Sequence, residues 1–108
     1  MLKKKNRADR KAVGRIFKEG KFINSPSLTF KFILNNNSTV PRISFIAPKS
    51  TAKLAIKRNL LRRRGYLALQ KHFKDLPLGL LGVFIFKKPE ENISILENEV
   101  KTILHKIH

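Results

Sequence analysis

Between Lys57 and Arg64 the chain reads Lys-Arg-Asn-Leu-Leu-Arg-Arg-Arg, so five of eight consecutive residues carry positive charge. The chemistry open to such a cluster is electrostatic. Arginines four residues apart, such as Arg58 and Arg62, share a helix face and can meet successive phosphates of a polyanion. A charge run can also be nothing more than the solvated face of a helix. That reading normally comes with acids among the bases, and between Arg10 and Asp75 the only acid is Glu19. The candidate polyanion-binding residues are therefore Lys57, Arg58, Arg62, Arg63 and Arg64, with Asn59 set among them. Lys49 and Lys53 lie just ahead of them, and Lys3, Lys4, Lys5 and Arg7 form a basic arm within residues 1–8.

Acid–base chemistry has no comparable cluster. The seven acids, Asp9, Glu19, Asp75, Glu90, Glu91, Glu97 and Glu99, fall mainly at expected helix ends. They offer no pair suited to general acid and base work or to a two-metal site. His105 and His108 have no cysteine and no inward acid beside them, so no metal ligand is assigned. No catalytic residue is assigned either, and no cofactor is expected on protein side chains.

Composition sets the outer limits. A chain of 108 residues with 42% hydrophobic content is read as one domain over 1–108 with a single core. A formal charge of +17, from 24 basic and 7 acidic residues, exceeds what solubility needs and destabilises the folded state by self-repulsion. A polyanion partner removes that repulsion. The absence of cysteine excludes disulfides and thiolate metal sites and fits a cytoplasmic setting. Met-Leu-Lys-Lys-Lys-Asn-Arg has no apolar segment behind its charges, so no secretory signal is read there. The apolar run Leu78–Phe86 is too short for a membrane helix, and no membrane partner is expected. Nor is DNA, because the basic helix has neither a helix-turn-helix partner nor a zipper.

These residues need elements to hold them. Asp9 reads as an N-cap, Val13, Ile16 and Phe17 as the apolar face of a first helix, and Gly20 as its left-handed C-terminus. Phe17 is either a core anchor or an aromatic that stacks on a base. Leu28–Leu34 and Ile43–Ala47 alternate as two half-buried strands joined by Asn35-Asn36-Asn37-Ser38, so antiparallel pairing is expected; Phe22–Asn24 is read as a short additional strand before Pro26. A second helix is predicted over about 52–74, capped by Ser50 or Thr51. Two apolar tracks compete on it: Leu54, Leu61, Gly65, Ala68 and His72, or Ile56, Leu60 and Leu67. The first is preferred, because Gly65 allows close approach to a sheet and Arg62 and Arg63 then point away. Pro77-Leu78-Gly79 breaks the chain, Leu80–Lys87 is apolar on both faces and so central, and a parallel β-α-β crossover follows. Ser94 and Glu97 suggest a capping box for a last helix with Ile93, Leu96, Val100, Ile103, Leu104 and Ile107 on one stripe. The order α-β-β-(β)-α-β-α makes an α+β sandwich around a sheet of about four strands.

The basic arm, the helix end Ile16-Phe17-Lys18-Glu19-Gly20-Lys21, the strand Arg42-Ile43-Ser44-Phe45-Ile46, Lys49, and above all Lys57-Arg58-Asn59 followed by Arg62-Arg63 resemble the bacterial ribonuclease P protein subunit. The resemblance covers nearly the whole chain. That family carries an Arg-Asn-Arg motif on its second helix. Arg58 and Asn59 match its first two positions and Arg62 and Arg63 match the basic pair that follows, but Leu60 stands where the second motif arginine belongs and Tyr66 where a further arginine is common. The resemblance implies a subunit of a ribonucleoprotein endonuclease. It would bind a large catalytic RNA, help it remove 5′ leaders from precursor tRNA, and leave Mg2+ to the RNA. It implies a leader cleft between the first helix and the sheet, involving Val13, Phe17, Lys31, Arg42 and Ser44. It also implies a left-handed crossover, against the right-handed default. A ribosomal or other structural RNA-binding protein would share the charge and size but would restore no cleavage.

Overall fold

The computed structural model describes residues 6–34 and 40–107. Lys3, Lys4 and Lys5, the Asn35-Asn36-Asn37-Ser38 turn and His108 lie outside them. Helix α1 (Arg10–Glu19) leads into strands β1 (Lys21–Asn24), β2 (Leu28–Ile33) and β3 (Arg42–Ile46). Helix α2 (Ala55–Gln70), a 3-10 turn (Phe73–Asp75), strand β4 (Leu81–Phe86) and helix α3 (Ile93–Lys106) complete the order. No helix among these residues is long and apolar enough to cross a membrane.

The sheet order is β1-β2-β4-β3, with β1·β2 and β2·β4 antiparallel and β3·β4 parallel. The expected direct pairing of β2 with β3 does not form, because β4 lies between them. The cause is the apolarity of β4 on both faces: Val83 faces one layer while Phe84 and Phe86 face the other, and all three are buried. Such a strand is stable only in mid-sheet, which leaves the half-polar β3 at an edge.

The hand of the β3-α2-β4 crossover follows from that edge. Phe45 turns its ring toward α2, against Gly65 and Tyr66. Its N–H donates to the Tyr66 hydroxyl at 3.3 Å and its carbonyl accepts from Arg62 Nε at 3.3 Å, so its peptide groups point away from β4. In a strand of L-residues running upward, a residue whose side chain faces the viewer points its N–H and C=O to the right. Seen from the α2 side, β4 therefore lies to the left of β3. A path that rises through β3, passes in front through α2 and returns to a strand on the left is left-handed, against the usual rule.

Two apolar layers fill the interior. Phe30, Phe84 and Phe45, aligned across β2, β4 and β3, stack with ring centroids 4.3 Å and 4.8 Å apart beneath α2 and α3. Leu61, Gly65, Ala68 and Leu69 turn inward from α2, and a Cβ on Gly65 would overlap the Phe45 ring. The inner track of α2 is thus the one that Gly65 suggested, although Leu54 of that track precedes the helix and is exposed. On the other face, Ile16 of α1 covers Leu81 and Val83.

Several element ends differ from expectation. Asp9 caps α1 by accepting from Ala12 N–H at 2.8 Å, but Gly20 is extended (φ −75°, ψ 153°). Its lack of a side chain serves close approach to the carbonyls of Ile16 and Phe32. The left-handed glycine is Gly79, φ 78°, in the turn before β4. Helix α2 is shorter than predicted, because Thr51 Oγ1 donates to the Phe86 carbonyl at 2.7 Å and is not a cap. Asn92, not Ser94, caps α3 by accepting from Ile95 N–H at 3.2 Å. Glu97, freed from the expected box, lies 3.5 Å from Lys71 Nζ. Glu99, assigned no role from sequence, is buried in α3 and accepts from Ser27 N–H at 2.7 Å and from Ser25 Oγ, pinning the β1–β2 turn.

Candidate RNA-binding interface

Helix α2 presents its basic residues on two flanks and a crest. Arg58 and Arg62 turn toward β3. Arg58 Nη1 donates to the carbonyls of Ala52 and Lys53 at 3.1 and 2.7 Å, bracing the uncapped start of the helix. Arg62 leans on the β3 edge through the Phe45 carbonyl. Lys57 lies on the opposite flank, 2.6 Å from Glu91. Arg63 stands on the crest, exposed and without a partner among the described residues. Lys49 and Lys53, in the loop before α2, are also exposed.

Between α1 and α2 runs a groove floored by Ser44–Ala47. Ala8, Asp9, Arg10 and Val13 form one wall, and Arg58, Asn59, Arg62 and Tyr66 the other. Its only acid is Asp9, whose carboxylate is occupied with the N-terminus of α1. Asn59 and Arg62 also border a second, smaller depression with Arg63 and Tyr66, so they form a ridge between two concave surfaces. Tyr66 is 2% exposed, packs edge-on against Phe45 at 5.0 Å, and satisfies the Phe45 N–H. Its role is to cover the free edge of β3 where the groove passes.

The groove opens onto the α1 face of the sheet. Helix α1 crosses that face from β3, where the Ala8 carbonyl accepts from Ser44 Oγ at 2.7 Å, to β2, where Phe17 meets Lys31. Lys31 Nζ lies 4.9 Å from the Phe17 ring centroid, a cation–π contact on a ring that is 44% exposed. Val13 and Phe17, one turn apart, line the same side of α1. Beside them runs the half-exposed pair Ile46 and Ile85, followed across the sheet by Thr29.

Of the residues implied for the leader cleft, Val13, Phe17, Lys31 and Ser44 therefore border one surface. Arg42 does not: it lies opposite Leu81, two residues along β3 from Ser44, and is not part of the groove lining. Alternation puts it on the α1 face, but α1 covers the sheet between it and the open side. Sequence reasoning missed Phe22. This residue pairs with Lys31 across β1·β2, shares its face, and is 64% exposed. Its signal was an aromatic in a strand whose neighbour Ile23 faces the core. Among the described residues, no group of three or more His, Asp or Glu is placed to hold a metal ion.

A family model described as Ribonuclease P matches residues 1–108. The chain is similar to the RNase P protein from Thermotoga maritima, with 23% identity and a TM-score of 0.80 over 92% of this chain and 94% of that one. It is similar to the Staphylococcus aureus RNase P protein, with 18% identity and a TM-score of 0.76 over 92% and 91%. A S. aureus mutant with defective mRNA degradation activity gives 18% identity and a TM-score of 0.82 over 96% and 89%. No curated protein matches the chain.

Proposed function

Because the chain belongs to the ribonuclease P family, we propose that it is the RNA-binding protein subunit of a ribonuclease P particle, holding the catalytic RNA on the basic surface of α2 and the single-stranded 5′ leader of precursor tRNA along the groove and the open sheet face. One observation carries the reading: a groove bordered by Arg10, Arg58 and Arg62, whose single acid is already engaged, continues onto a face that offers Lys31 and exposed aromatic rings. Charge of this kind neutralises phosphates whatever the sequence, while aromatic faces suit unpaired bases. If ~6 phosphates are neutralised, the logarithm of the binding constant falls with log salt at a slope of roughly −4 to −5. The protein's part is to lower phosphate repulsion and to hold substrate. On this reading the RNA supplies the catalytic centre and its Mg2+, and the particle works in the cytoplasm.

The test adds the purified chain to a bacterial ribonuclease P RNA and a precursor tRNA at low magnesium. Faster 5′ cleavage, falling as salt is raised, is expected. No gain at any salt concentration refutes the proposal. Tight binding to ribosomal RNA without any gain in cleavage would identify a structural RNA-binding protein instead.

A further inference from the structure

We propose that the bound leader extends past Lys31 to the edge strand β1, where Phe22 stacks on an unpaired base. The inference rests on the leader reading above and adds a contact to it. Phe22 is a large apolar side chain left 64% exposed on a chain with charge +17. It sits directly across from Lys31 in the β1·β2 register, and Lys31 also lies under Phe17. Two exposed rings thus flank one ammonium group on the same face of the sheet. The lysine can hold a phosphate between two nucleotides whose bases rest on the rings, an arrangement that tolerates any base because each has a π-face.

The path to this site is continuous. From the Arg62 side of the groove it crosses β3 at Ile46, β4 at Ile85 and β2 at Thr29, then turns along β2 to Lys31 and its β1 partner Phe22. Three strand spacings of about 4.8 Å make this roughly 14 Å, long enough for about two nucleotides of an extended strand. A second copy of the chain is the competing occupant of an edge strand, but a net charge of +17 opposes self-association and favours a polyanion.

The test uses the holoenzyme assembled from the full chain and a bacterial ribonuclease P RNA. Affinity is measured for precursor tRNAs whose leaders are shortened one nucleotide at a time. With the natural chain, removal of one particular nucleotide should weaken binding by roughly fivefold to a hundredfold, the range of one base–aromatic stack. Phe22→Ala should abolish that step and keep the others, Phe22→Trp should restore it, and the melting temperature should stay unchanged. An identical length profile for Phe22→Ala overturns the Phe22 contact while the leader reading stands. A profile flat at every length, in all three proteins, overturns both. A loss of dimer on Phe22→Ala, seen by sedimentation, would make the ring a contact between copies and overturn the proposal.

Discussion

Arg62 and Arg63 are neighbours in sequence but hold different things, so replacing each by alanine separates binding from folding. Arg63 is exposed with no partner among the described residues, whereas Arg62 Nε donates to the Phe45 carbonyl at 3.3 Å. For Arg63→Ala, loss of one phosphate contact lowers the steepness of log K against log salt by about 0.7 to 0.9. Between about 50 and 200 mM salt, the affinity advantage of the natural chain over the variant should therefore shrink by roughly threefold. Stability should stay within about 0.5 kcal/mol, as for surface changes that break no special feature. Arg62→Ala should flatten the salt dependence to the same degree and also cost about 1 kcal/mol, because a long, partly solvated hydrogen bond to the sheet edge is lost. That amounts to a melting shift of about 4–8 °C. Binding to ribonuclease P RNA over a salt series and thermal unfolding by circular dichroism read the two effects. A lowered melting temperature for Arg63→Ala, or an unchanged salt slope, would refute the assignment of the crest of α2 to RNA.

Three further substitutions probe the elements that hold the interface. Tyr66→Phe keeps the ring but leaves the buried Phe45 N–H without its acceptor, and should destabilise by about 1–3 kcal/mol in urea titrations; an unchanged midpoint would show that water or another group takes over. Gly65→Ala gains about 1 kcal/mol of helix propensity but must displace the Phe45 ring, which stacks on Phe84 at 4.8 Å, so overpacking of about 1–3 kcal/mol should prevail. A more stable Gly65→Ala protein would contradict the close approach of α2 to the sheet. Glu99→Ala strands the buried Ser27 N–H and should lower stability by about 2–3 kcal/mol, without changing the salt slope of RNA binding.

The legible parts of the chain were those in which one residue type has one physical meaning. Asp9 ahead of an apolar stripe gave a cap, the two-sided apolarity of residues 81–86 gave a central strand, and Gly65 inside a basic helix gave a close approach. Where two partners compete for one group, local sequence could not decide. Ser94 and Asn92 both suit a helix start, and the structure uses Asn92, while Glu97 lies beside Lys71 rather than back at the cap. The partner of β2 was hidden for a similar reason: alternation identifies a strand and its faces but carries no term for a later strand inserting between two earlier ones. Within the site, the residue types were legible and their duties were not. Arg58 and Arg62 looked free for RNA, yet each also serves a backbone carbonyl, and only the fold reveals Phe22 beside Lys31.

Leu60 is the point at which this chain departs from the motif its second helix otherwise resembles, and on the RNA-binding reading proposed above Arg64 is the residue placed to supply the charge. Residues four apart share a helix face, so Arg64 lies on the stripe of Leu60, one turn and about 6 Å further along. Lys57, two turns before Arg64, is on the same flank, and its contact with Glu91 fixes that flank as the one nearer the start of α3. Arg62 occupies the other flank, against β3. The helix therefore still carries charge on both sides of its crest, and the substitution moves one positive group along the axis without removing it from the face. Phosphate neutralisation depends on how many charges face the polyanion, whereas the choice of phosphate depends on their spacing along the helix. If α2 binds RNA as proposed, Leu60 with Arg64 should keep the strength of the electrostatic contact and change its register, which the salt slope of Arg64→Ala would test.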